Sequence, residues 1–494
     1  MKNKKGFECR TRAWRAGLVW TMAAGLAGAI VFAAQMPDST SLRIYPDYTG
    51  VVIPPNIAPL NFVIETPATA YQVSIESTRG QPIEMTSRDG RVLIPPRAWR
   101  ELLRANPGQS LRIGVRLRRA PGQWTSCDAV TNTIAREEMD GYLVYRLLKP
   151  LYNGYVHLGI YQRNLQTDQE SVVLHNRTFK QGCLNCHTFL NHQPDSMAVN
   201  IRTSDFGLPM ILAQHGEVTK VSRIMGYLSW HPSGKLIAFS MNKLGLFFHT
   251  MGESRDVFDE ESNLGVYYLD SNRVVVPASI AQPDRRETWP AWSPDGRYLY
   301  FSSALPLPIN KYDQIRYDLM RVAYDPQTEA WGSPETVLSS QETHLSITQP
   351  RVSPDGRFLL FCMSAYGNFP VYQPSSDIYL MDLQTRRHWR LEVNSDQSES
   401  WHCWSSNSRW IVFSSKRRDG LFARPYFSYV DPSGHAAKPF LLPQSDPTFY
   451  DSFIKTYNVP EFITKPIAVS QRDLADAIAH PKKVLMPKTE GLLK

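Results

Sequence analysis

One eleven-residue pattern recurs four times in the second half of this 494-residue chain and constrains the fold more than any other feature. The copies are WHPSGKLIAFS from Trp230, WSPDGRYLYFS from Trp292, VSPDGRFLLFC from Val352 and WSSNSRWIVFS from Trp404. Ser-Pro-Asp-Gly favours a tight turn, because serine accepts a hydrogen bond, proline presets φ and glycine tolerates a positive φ. Each copy therefore predicts a strand, a turn and a strong apolar strand.

The spacing of the copies predicts how these strands assemble. The turn positions Gly234, Gly296, Gly356 and Ser408 lie 62, 60 and 52 residues apart, and each copy is followed by a further strand-like run such as LGVYYLD or DIYLMDL. Four-stranded units at this spacing are typical of β-propeller blades, which bury their faces only against neighbouring blades. Four blades are clear between about 226 and 445. Apolar pieces between 197 and 222 and near 461 could supply a fifth or a sixth, and the sequence does not fix the number.

The repeat units resemble those of TolB-like propellers, also called PD-repeat proteins. The shared pattern is W-S-P-D-G-R followed by an alternating apolar run, and it covers roughly 220 residues. This resemblance implies a C-terminal TolB-like β-propeller. A propeller hosts many activities, so the resemblance alone implies no particular function.

The first half of the chain has no repeat and predicts a separate β domain. Strand-like runs such as AYQVSIES and SLRIGVRLRR surround a short helix in PPRAWRELLRAN, which begins after two prolines and ends at Asn106. We expect an immunoglobulin-like β-sandwich, although no Cys-Trp-Cys framework is present. The predicted all-β organisation is a basic leader at 1–15, an apolar segment at 16–34, a sandwich at 42–175, a haem-binding segment at 176–225, a propeller at 226–470 and a tail at 471–494.

The haem prediction comes from KQGCLNCHTF, in which Cys183 and Cys186 are followed at once by His187. A structural zinc site needs a second ligand pair, which is missing, and a thioredoxin-like motif belongs in a strand-helix-strand context. Covalent haem attachment uses all three residues: both thiols form thioethers, and the imidazole ligates the iron. A bare disulfide or a partial zinc site is the remaining alternative. The cofactor predicted is one haem c.

Haem of this type is attached outside the cytoplasm, and the N-terminus meets that requirement. Residues 1–15 contain six basic side chains and one acid, and residues 16–34 contain no charge. This pattern predicts a signal peptide or an uncleaved anchor with its basic side in the cytoplasm. We therefore expect a periplasmic protein anchored to the inner membrane by 16–34. The formal net charge of +8 falls mostly in the leader, which argues against a nucleic-acid partner.

Taken together, the segments resemble a family of exported bacterial TolB-like proteins with a c-type haem motif. CLNCHTFLNHQPDSMAVNIR aligns with the haem region of that family. The resemblance and the spacing make Met197 the first candidate for the second axial ligand, with His192 and His175 as alternatives and Met210 and His215 behind them. The segment is too short to wrap a haem alone, so we expect neighbouring domains to cover it.

Two functions from different classes follow from these predictions. The first is a monohaem electron carrier whose propeller docks onto a redox or envelope protein. The alternative is a binding scaffold of the cell envelope with a structural or sensory haem. Motifs of serine hydrolases, zinc proteases and nucleotide-binding enzymes are absent from the sequence, so a stand-alone catalyst is the less favoured expectation.

Overall fold

Short strands make up most of the computed structural model, which describes residues 42–149, 157–247 and 256–491. Within these residues, 35 strands form eight sheets, so the all-β prediction is confirmed. The predicted leader at 1–15 and the apolar segment at 16–34 lie outside the described residues. In the part of the chain that is described, no helix is both long and apolar enough to cross a membrane.

The N-terminal part consists of two sheets and one helix. Its strands are β1 Ile44–Tyr45, β2 Val52–Ile53, β3 Phe62–Ile64, β4 Ala70–Glu76, β5 Ile83–Ser87, β6 Arg91–Val92, β7 Ser110–Ala120, β8 Gln123–Ser126 and β9 Val130–Ile134, and its helix is α1 Pro96–Ala105. One sheet has the order β2-β9-β7-β4-β5, with β8 paired to β7, and the other has the order β1-β3-β6. Both sheets contribute to one buried cluster, which also contains Trp99 of α1. The immunoglobulin-like type stays a prediction.

The remaining strands form six sheets. They are β10 Tyr142–Leu148, β11 Gly159–Asn164, β12 Glu170–His175, β13 Cys183–Phe189, β14 Ser196–Arg202, β15 Met210–Gln214, β16 Glu217–Val221, β17 Gly226–Trp230, β18 Leu236–Phe247, β19 Asp256–Tyr268, β20 Arg273–Val276, β21 Arg286–Trp292, β22 Tyr298–Ala304, β23 Asp318–Asp325, β24 Ala330–Leu338, β25 Ser346–Val352, β26 Phe358–Ser364, β27 Asp377–Asp382, β28 His388–Arg390, β29 Glu399–Trp404, β30 Trp410–Ser415, β31 Arg424–Tyr429, β32 Phe440–Leu441, β33 Thr456–Ile463, β34 Val484–Leu485 and β35 Lys488–Gly491.

The short helices of this part lie between or after the sheets. The α-helices are α2 Ser340–Thr343, α3 Phe449–Ser452 and α4 Gln471–Ala479, and the 3₁₀-helices are Asn176–Phe179, Leu190–His192, Ile309–Gln314 and Pro370–Tyr372. Helix α4 begins at a serine cap, where the Ser470 hydroxyl accepts the Asp473 N–H at 3.1 Å. Its Leu474 and Ile478 are fully buried, so the helix is held against the ring by its apolar face.

The six sheets are the blades of a propeller, which is more than the four that the repeat identifies. Blade 1 has the order β33-β10-β11-β12, blade 2 begins β13-β14-β15-β16, blade 3 begins β17-β18-β19-β20, and blades 4, 5 and 6 are β21–β24, β25–β28 and β29–β32. The first strands contact one another in sequence around the ring, and β33 contacts both β29 and β13. The chain end therefore supplies the inner strand of the first blade and closes the ring.

The serine-aspartate turns form as predicted. In blade 4, the Ser293 hydroxyl accepts the Tyr298 N–H at 2.9 Å and donates to Asp295 Oδ1 at 2.5 Å. Ser353 makes the same pair of bonds in blade 5. Gly296 has a φ of 72°, a left-handed conformation that glycine adopts without strain. The local turn chemistry therefore sets the connection between the first and second strands of these blades.

The domain boundaries differ from the predicted ones. Residues 142–148, 159–164 and 170–175, expected in the sandwich, are three strands of blade 1, because β10 pairs along its length with β33. Residues 183–221, expected as a haem-binding insert, are blade 2. Residues 471–494 were expected as a separate tail, but β34 and β35 extend blades 2 and 3 by parallel pairing. These pairings join residues far apart in the sequence, where periodicity carries no signal.

Closure of the ring by β33 has a measurable energetic consequence. Phe462 lies on β33, is fully buried and packs against Phe427 of blade 6 with ring centroids 5.9 Å apart. We expect Phe462→Ala to lower the free energy of unfolding by about 3–5 kcal/mol, because it leaves a large cavity at the closure. Denaturant unfolding measures this change. Val484→Ala on exposed β34 is the control, and an equal effect of both variants would contradict the closure.

Candidate functional site

The predicted haem motif forms β13, the inner strand of blade 2, rather than a linker between domains. The chain enters it through Lys180 and Gln181, both with positive φ, and then Gly182. A side chain at Gly182 would meet Thr203 Cγ2 at 2.5 Å and the Arg202 carbonyl oxygen at 2.9 Å. Glycine therefore allows β13 to begin pairing with β14 immediately before Cys183.

An extra residue in β13 separates the two cysteines. Leu184 pairs with Ile201 and His187 pairs with Val199, so an advance of three residues along β13 corresponds to only two residues along β14. Such a β-bulge changes which side of the strand the following side chains occupy. Cys183 consequently packs in the cluster between blades 1 and 2, whereas Cys186 packs against the cluster of Trp289, Trp401 and Val459 at the ring centre.

Both cysteines of the motif are free thiols; Cys183 is buried and Cys186 is half-buried. Burial raises the pKa of Cys183 and of Cys186, and the positive charges of Arg146 and Arg202 oppose that effect at both sulfurs. Cys183 Sγ lies 3.5 Å from Asn185 Oδ1. The protonated thiol is therefore the favoured form of both residues in the haem-free protein.

His187 has the chemical state that an iron ligand requires. Its side chain is buried, and neither ring nitrogen has a hydrogen-bond partner at good geometry among the described residues, although the Val144 backbone acts on the pKa of the imidazole as a hydrogen-bond acceptor does. Burial lowers the pKa of His187 to about 3, with the Arg146 charge acting in the same direction and the backbone of Val144 opposing it. The imidazole is therefore neutral and carries a free lone pair, which is the form that binds metals. The ring packs edge-on against Phe189 at 5.9 Å.

A cavity of about 410 Å³ lies where the inner strands meet. Its lining includes residues of all six inner strands, among them Cys186, His187, Trp289, Arg351, His402 and Glu461. Beside Cys186, the rings of Tyr227 and Trp289 stack at 3.6 Å and Trp289 meets Trp401 edge-on at 5.2 Å. The site therefore offers an apolar aromatic wall with a small number of polar groups, a composition typical of cofactor and ligand sites.

Arg351 of β25 and Glu461 of β33 line this cavity, and Arg146 lies outside its lining, beside the motif strand. Arg146 of β10 is buried, and its Nη1 donates to the Leu184 carbonyl oxygen at 2.7 Å. Glu461 of β33 accepts the Phe189 N–H at 3.0 Å and the Thr188 hydroxyl at 3.3 Å. Burial raises the pKa of Glu461 to about 7, against the lowering effect of those hydrogen bonds and of Arg351. Cationic groups therefore dominate the charge near the motif.

The candidates for a second axial ligand occupy three different places. Met197 is buried on β14 opposite Phe189, on the same sheet face as His187 and inside the cluster between blades 1 and 2. His192 lines the central cavity, and its Nδ1 lies 3.1 Å from the Phe462 carbonyl oxygen. His175 ends the outer strand β12, where Nδ1 accepts the Arg177 N–H. Only His192 of the three shares the cavity lining with His187.

The two remaining methionine and histidine candidates lie away from this cavity. Met210 is buried on β15 in a cluster between blades 2 and 3, the opposite face of blade 2 from Met197. His215 is exposed in the turn after β15 and has a positive φ. Neither lines the cavity that Cys186 and His187 share.

The residue types of the motif are those that hold a thioether-linked haem. Cys186 and His187 line the cavity with Arg351, and Cys183 lies outside that lining, in the cluster between blades 1 and 2. Within the described residues, no three side chains of the His, Cys, Asp and Glu types come together as ligands of a bare metal ion.

Sequence reasoning missed several residues of this site. Trp289 and Trp401 each precede a repeat tryptophan by three positions, in WPAW and WHCW, so a W-x-x-W pattern could have identified the aromatic wall. Arg146 and Arg351 have no such pattern. They reach the motif only because the ring brings blades 1 and 5 to the same centre.

Comparisons with known proteins add little beyond the fold. No protein-family model and no curated protein matches the chain. One similar solved structure is prolyl oligopeptidase B from Galerina marginata, at 9% identity over 67% of this chain and 42% of that one, with a TM-score of 0.35. A putative 6-phosphogluconolactonase from Bacteroides uniformis has 10% identity over 79% of this chain and 98% of that one, with a TM-score of 0.33. The Cps50 (Swd1) β-propeller domain from Myceliophteria thermophila has 12% identity over 52% of this chain and 70% of that one, with a TM-score of 0.30. The chain thus spans less than half of the first of these, and the likeness concerns the propeller-like fold alone.

The buried thiols make a prediction for the haem-free protein. At pH 8 we expect alkylation of Cys183 and Cys186 to be at least about tenfold slower than in the unfolded chain, because burial limits access and their raised pKa values leave little thiolate. The rate should rise up to about tenfold between pH 8 and pH 9, as the thiolate fraction grows. Peptide mapping by mass spectrometry measures each site. Cys127, which is half-buried like Cys186, is the internal comparison, and labelling of buried Cys183 as fast as in the unfolded chain would contradict this environment.

Proposed function

We propose that this protein is an exported, monohaem c-type electron carrier of the TolB-like propeller type. In this proposal one haem c is joined to Cys183 and Cys186 and is ligated by His187. The observation that carries it is the buried, neutral imidazole of His187, which directly follows Cys186 in the chain and has at most the Val144 backbone as a hydrogen-bond partner among the described residues. An unsatisfied buried imidazole costs free energy, which a metal bond recovers.

Each residue has a distinct role in this proposal. The haem supplies one-electron chemistry when it is bound. The thiols of Cys183 and Cys186 hold the group on β13, and the strand pairing with β14 keeps them in place. His187 supplies the axial nitrogen, and Phe189 beside its ring limits the directions in which that ring turns. The aromatic wall of Tyr227, Trp289 and Trp401 excludes water from the side of Cys186.

The propeller has the role of a docking scaffold in this proposal. The partner is a protein of the cell envelope, and residues 16–34 keep the protein at the inner membrane on the periplasmic side. Exposed apolar side chains lie in the connection between β22 and β23, including Leu305 and, at the start of a 3₁₀-helix, Ile309. Such loops are where propellers and similar scaffolds contact partners.

The second candidate is an envelope binding scaffold in which the haem is structural or sensory. The observation that favours it is that Met197, the first choice for the second axial position, lies outside the cavity lining. An iron without a second protein ligand binds small molecules such as carbon monoxide, whereas a closed iron is suited to electron transfer.

Covalent haem attachment is the first test of the proposal. We expect the protein, made in cells with a c-type maturation system, to retain haem on a denaturing gel and to show the alkaline pyridine spectrum of two thioethers. Cys183→Ser and Cys186→Ser should each shift that spectrum to one thioether, and the double variant should lose covalent haem. Cys127→Ser, a half-buried cysteine in the N-terminal sheets, should change nothing. A haem-free wild-type protein would refute the proposal.

The second axial ligand separates the two candidate functions. For an electron carrier ligated by Met197 we expect a low-spin spectrum that carbon monoxide leaves unchanged, and conversion to high spin in Met197→Leu. Met210→Leu is the matched control, because Met210 is equally buried but on the other face of blade 2. Conversion in His192→Ala instead would assign the ligand to His192. A high-spin wild-type iron that binds carbon monoxide would favour the sensory scaffold.

A further inference from the structure

Three arginines from three strands act on the sulfur of Cys186. Arg146 of β10, Arg202 of β14 and Arg351 of β25 each lower the pKa of this thiol, although burial dominates and raises it. Two of them also act on other groups of the site: Arg146 on Cys183 and His187, and Arg351 on Glu461. The geometry places two of these cations beside the motif: Arg146 donates to the Leu184 carbonyl oxygen within it, and Arg351 lines the cavity that Cys186 and His187 share.

Arg146 and Arg351 lack the partners that buried and half-buried arginines ordinarily have, and Arg202 is exposed. Among the described residues, none of the three has a carboxylate oxygen within 4 Å. Nη1 of Arg146 donates a hydrogen bond to the Leu184 carbonyl oxygen, and its buried Nε has no hydrogen-bond partner among the described residues. Arg351 is half-buried in the cavity wall, and its Nη1 reaches only the neighbouring Pro350 carbonyl oxygen at 3.3 Å. A buried guanidinium without an anion is unfavourable, so the arrangement calls for an anionic occupant.

The acid in the same cavity does not meet that need. Glu461 directs Oε1 at the Phe189 N–H and the Thr188 hydroxyl rather than at an arginine. The register of the inner strands explains why these groups nevertheless meet. His187, Arg351 and Glu461 each come directly after the extra residue of their own inner strand. Their partners on the adjacent strands are Val199, Leu360 and Val144, respectively. They therefore lie at one level of the ring, on blades 2, 5 and 1.

We propose that Arg146 and Arg351 form a carboxylate-binding pair that holds the two propionate groups of the haem attached at Cys183 and Cys186. The pair rests on the proposed function. Guanidinium groups bind carboxylates through two parallel hydrogen bonds, and two propionates match two buried or half-buried arginines. Arg202, Arg177 and Lys180 are exposed, so solvent screens them and they take no part in the pair.

The test measures the haem of the intact protein in Arg351→Leu and Arg351→Lys. We expect Arg351→Leu to shift the ferrous-to-ferric ratio at a fixed applied potential about tenfold towards ferric, equivalent to about 59 mV, because a cation stabilises the less positive iron. The propionate bending mode in the resonance Raman spectrum should shift as well. Arg351→Lys should retain most of the potential, because the charge remains, while the Raman mode still shifts.

Controls separate propionate binding from a general effect of charge and from misfolding. Arg223→Leu removes a half-buried arginine that is outside the cavity and also lacks a carboxylate partner, and we expect neither readout to change. Arg202→Leu removes an exposed charge near Cys186, and the Raman mode should stay unchanged. At position 146 the variant tested is Arg146→Lys rather than Arg146→Leu, because leucine would remove the hydrogen bond to Leu184 that also supports β13. Thermal unfolding checks that each variant is folded.

The outcomes distinguish this inference from the proposed function. Haem attached through two thioethers, with an unshifted propionate mode in both Arg351→Leu and Arg146→Lys, would overturn the arginine pair and leave the haem assignment intact. A shift in Arg202→Leu but not in Arg351→Leu would also overturn it. Absence of haem from the wild-type protein would refute both.

Discussion

Pairing between β33 and β10 is the interaction on which the rest of the molecule depends. It joins residues 456–463 to residues 142–148 and turns a row of blades into a ring. The space between blades 1 and 2 is closed on one side by this pair, and His187, Cys183 and Arg146 are buried there. Burial of the imidazole, and hence its neutral state, is a consequence of ring closure rather than of the local sequence around it.

A second constraint acts within each inner strand. All six inner strands have one extra residue relative to their partner strand, at the same register. In five of them a residue at this position has a positive φ: Tyr227, Trp289, Gln349, Trp401 and Val459. A bulge twists the strand and re-aims its side chains. Repetition of the bulge around the ring brings the aromatic wall, the arginine of blade 5 and the glutamate of blade 1 to the level of the motif.

Much of the architecture could be predicted from the sequence, because it depends on interactions between residues that are close together in the chain. The serine-aspartate turns and the alternating runs of blades 3 to 6 predict their strands, and short-range hydrogen bonds such as that from Tyr298 to Ser293 form them. Blades 1 and 2 have no such turn motif, so the sequence predicts their strands in the sandwich and in the haem-binding segment. The motif of Cys183, Cys186 and His187 is conspicuous as a set of residue types, but its conformation as an inner strand is not predictable from those types.

The sequence by itself determined the all-β class, the propeller-type repeat and the three residues proposed to hold a haem, because turn residues, periodicity and a five-residue motif are short-range signals. Only the tertiary structure decided that the motif is part of a blade, that six blades close through the chain end, and that Arg146 and Arg351 approach Cys186. The physical reason is that ring closure and the position of these arginines depend on strands distant in sequence that meet only in the closed ring, while the place of β13 in a blade depends on packing between sheets.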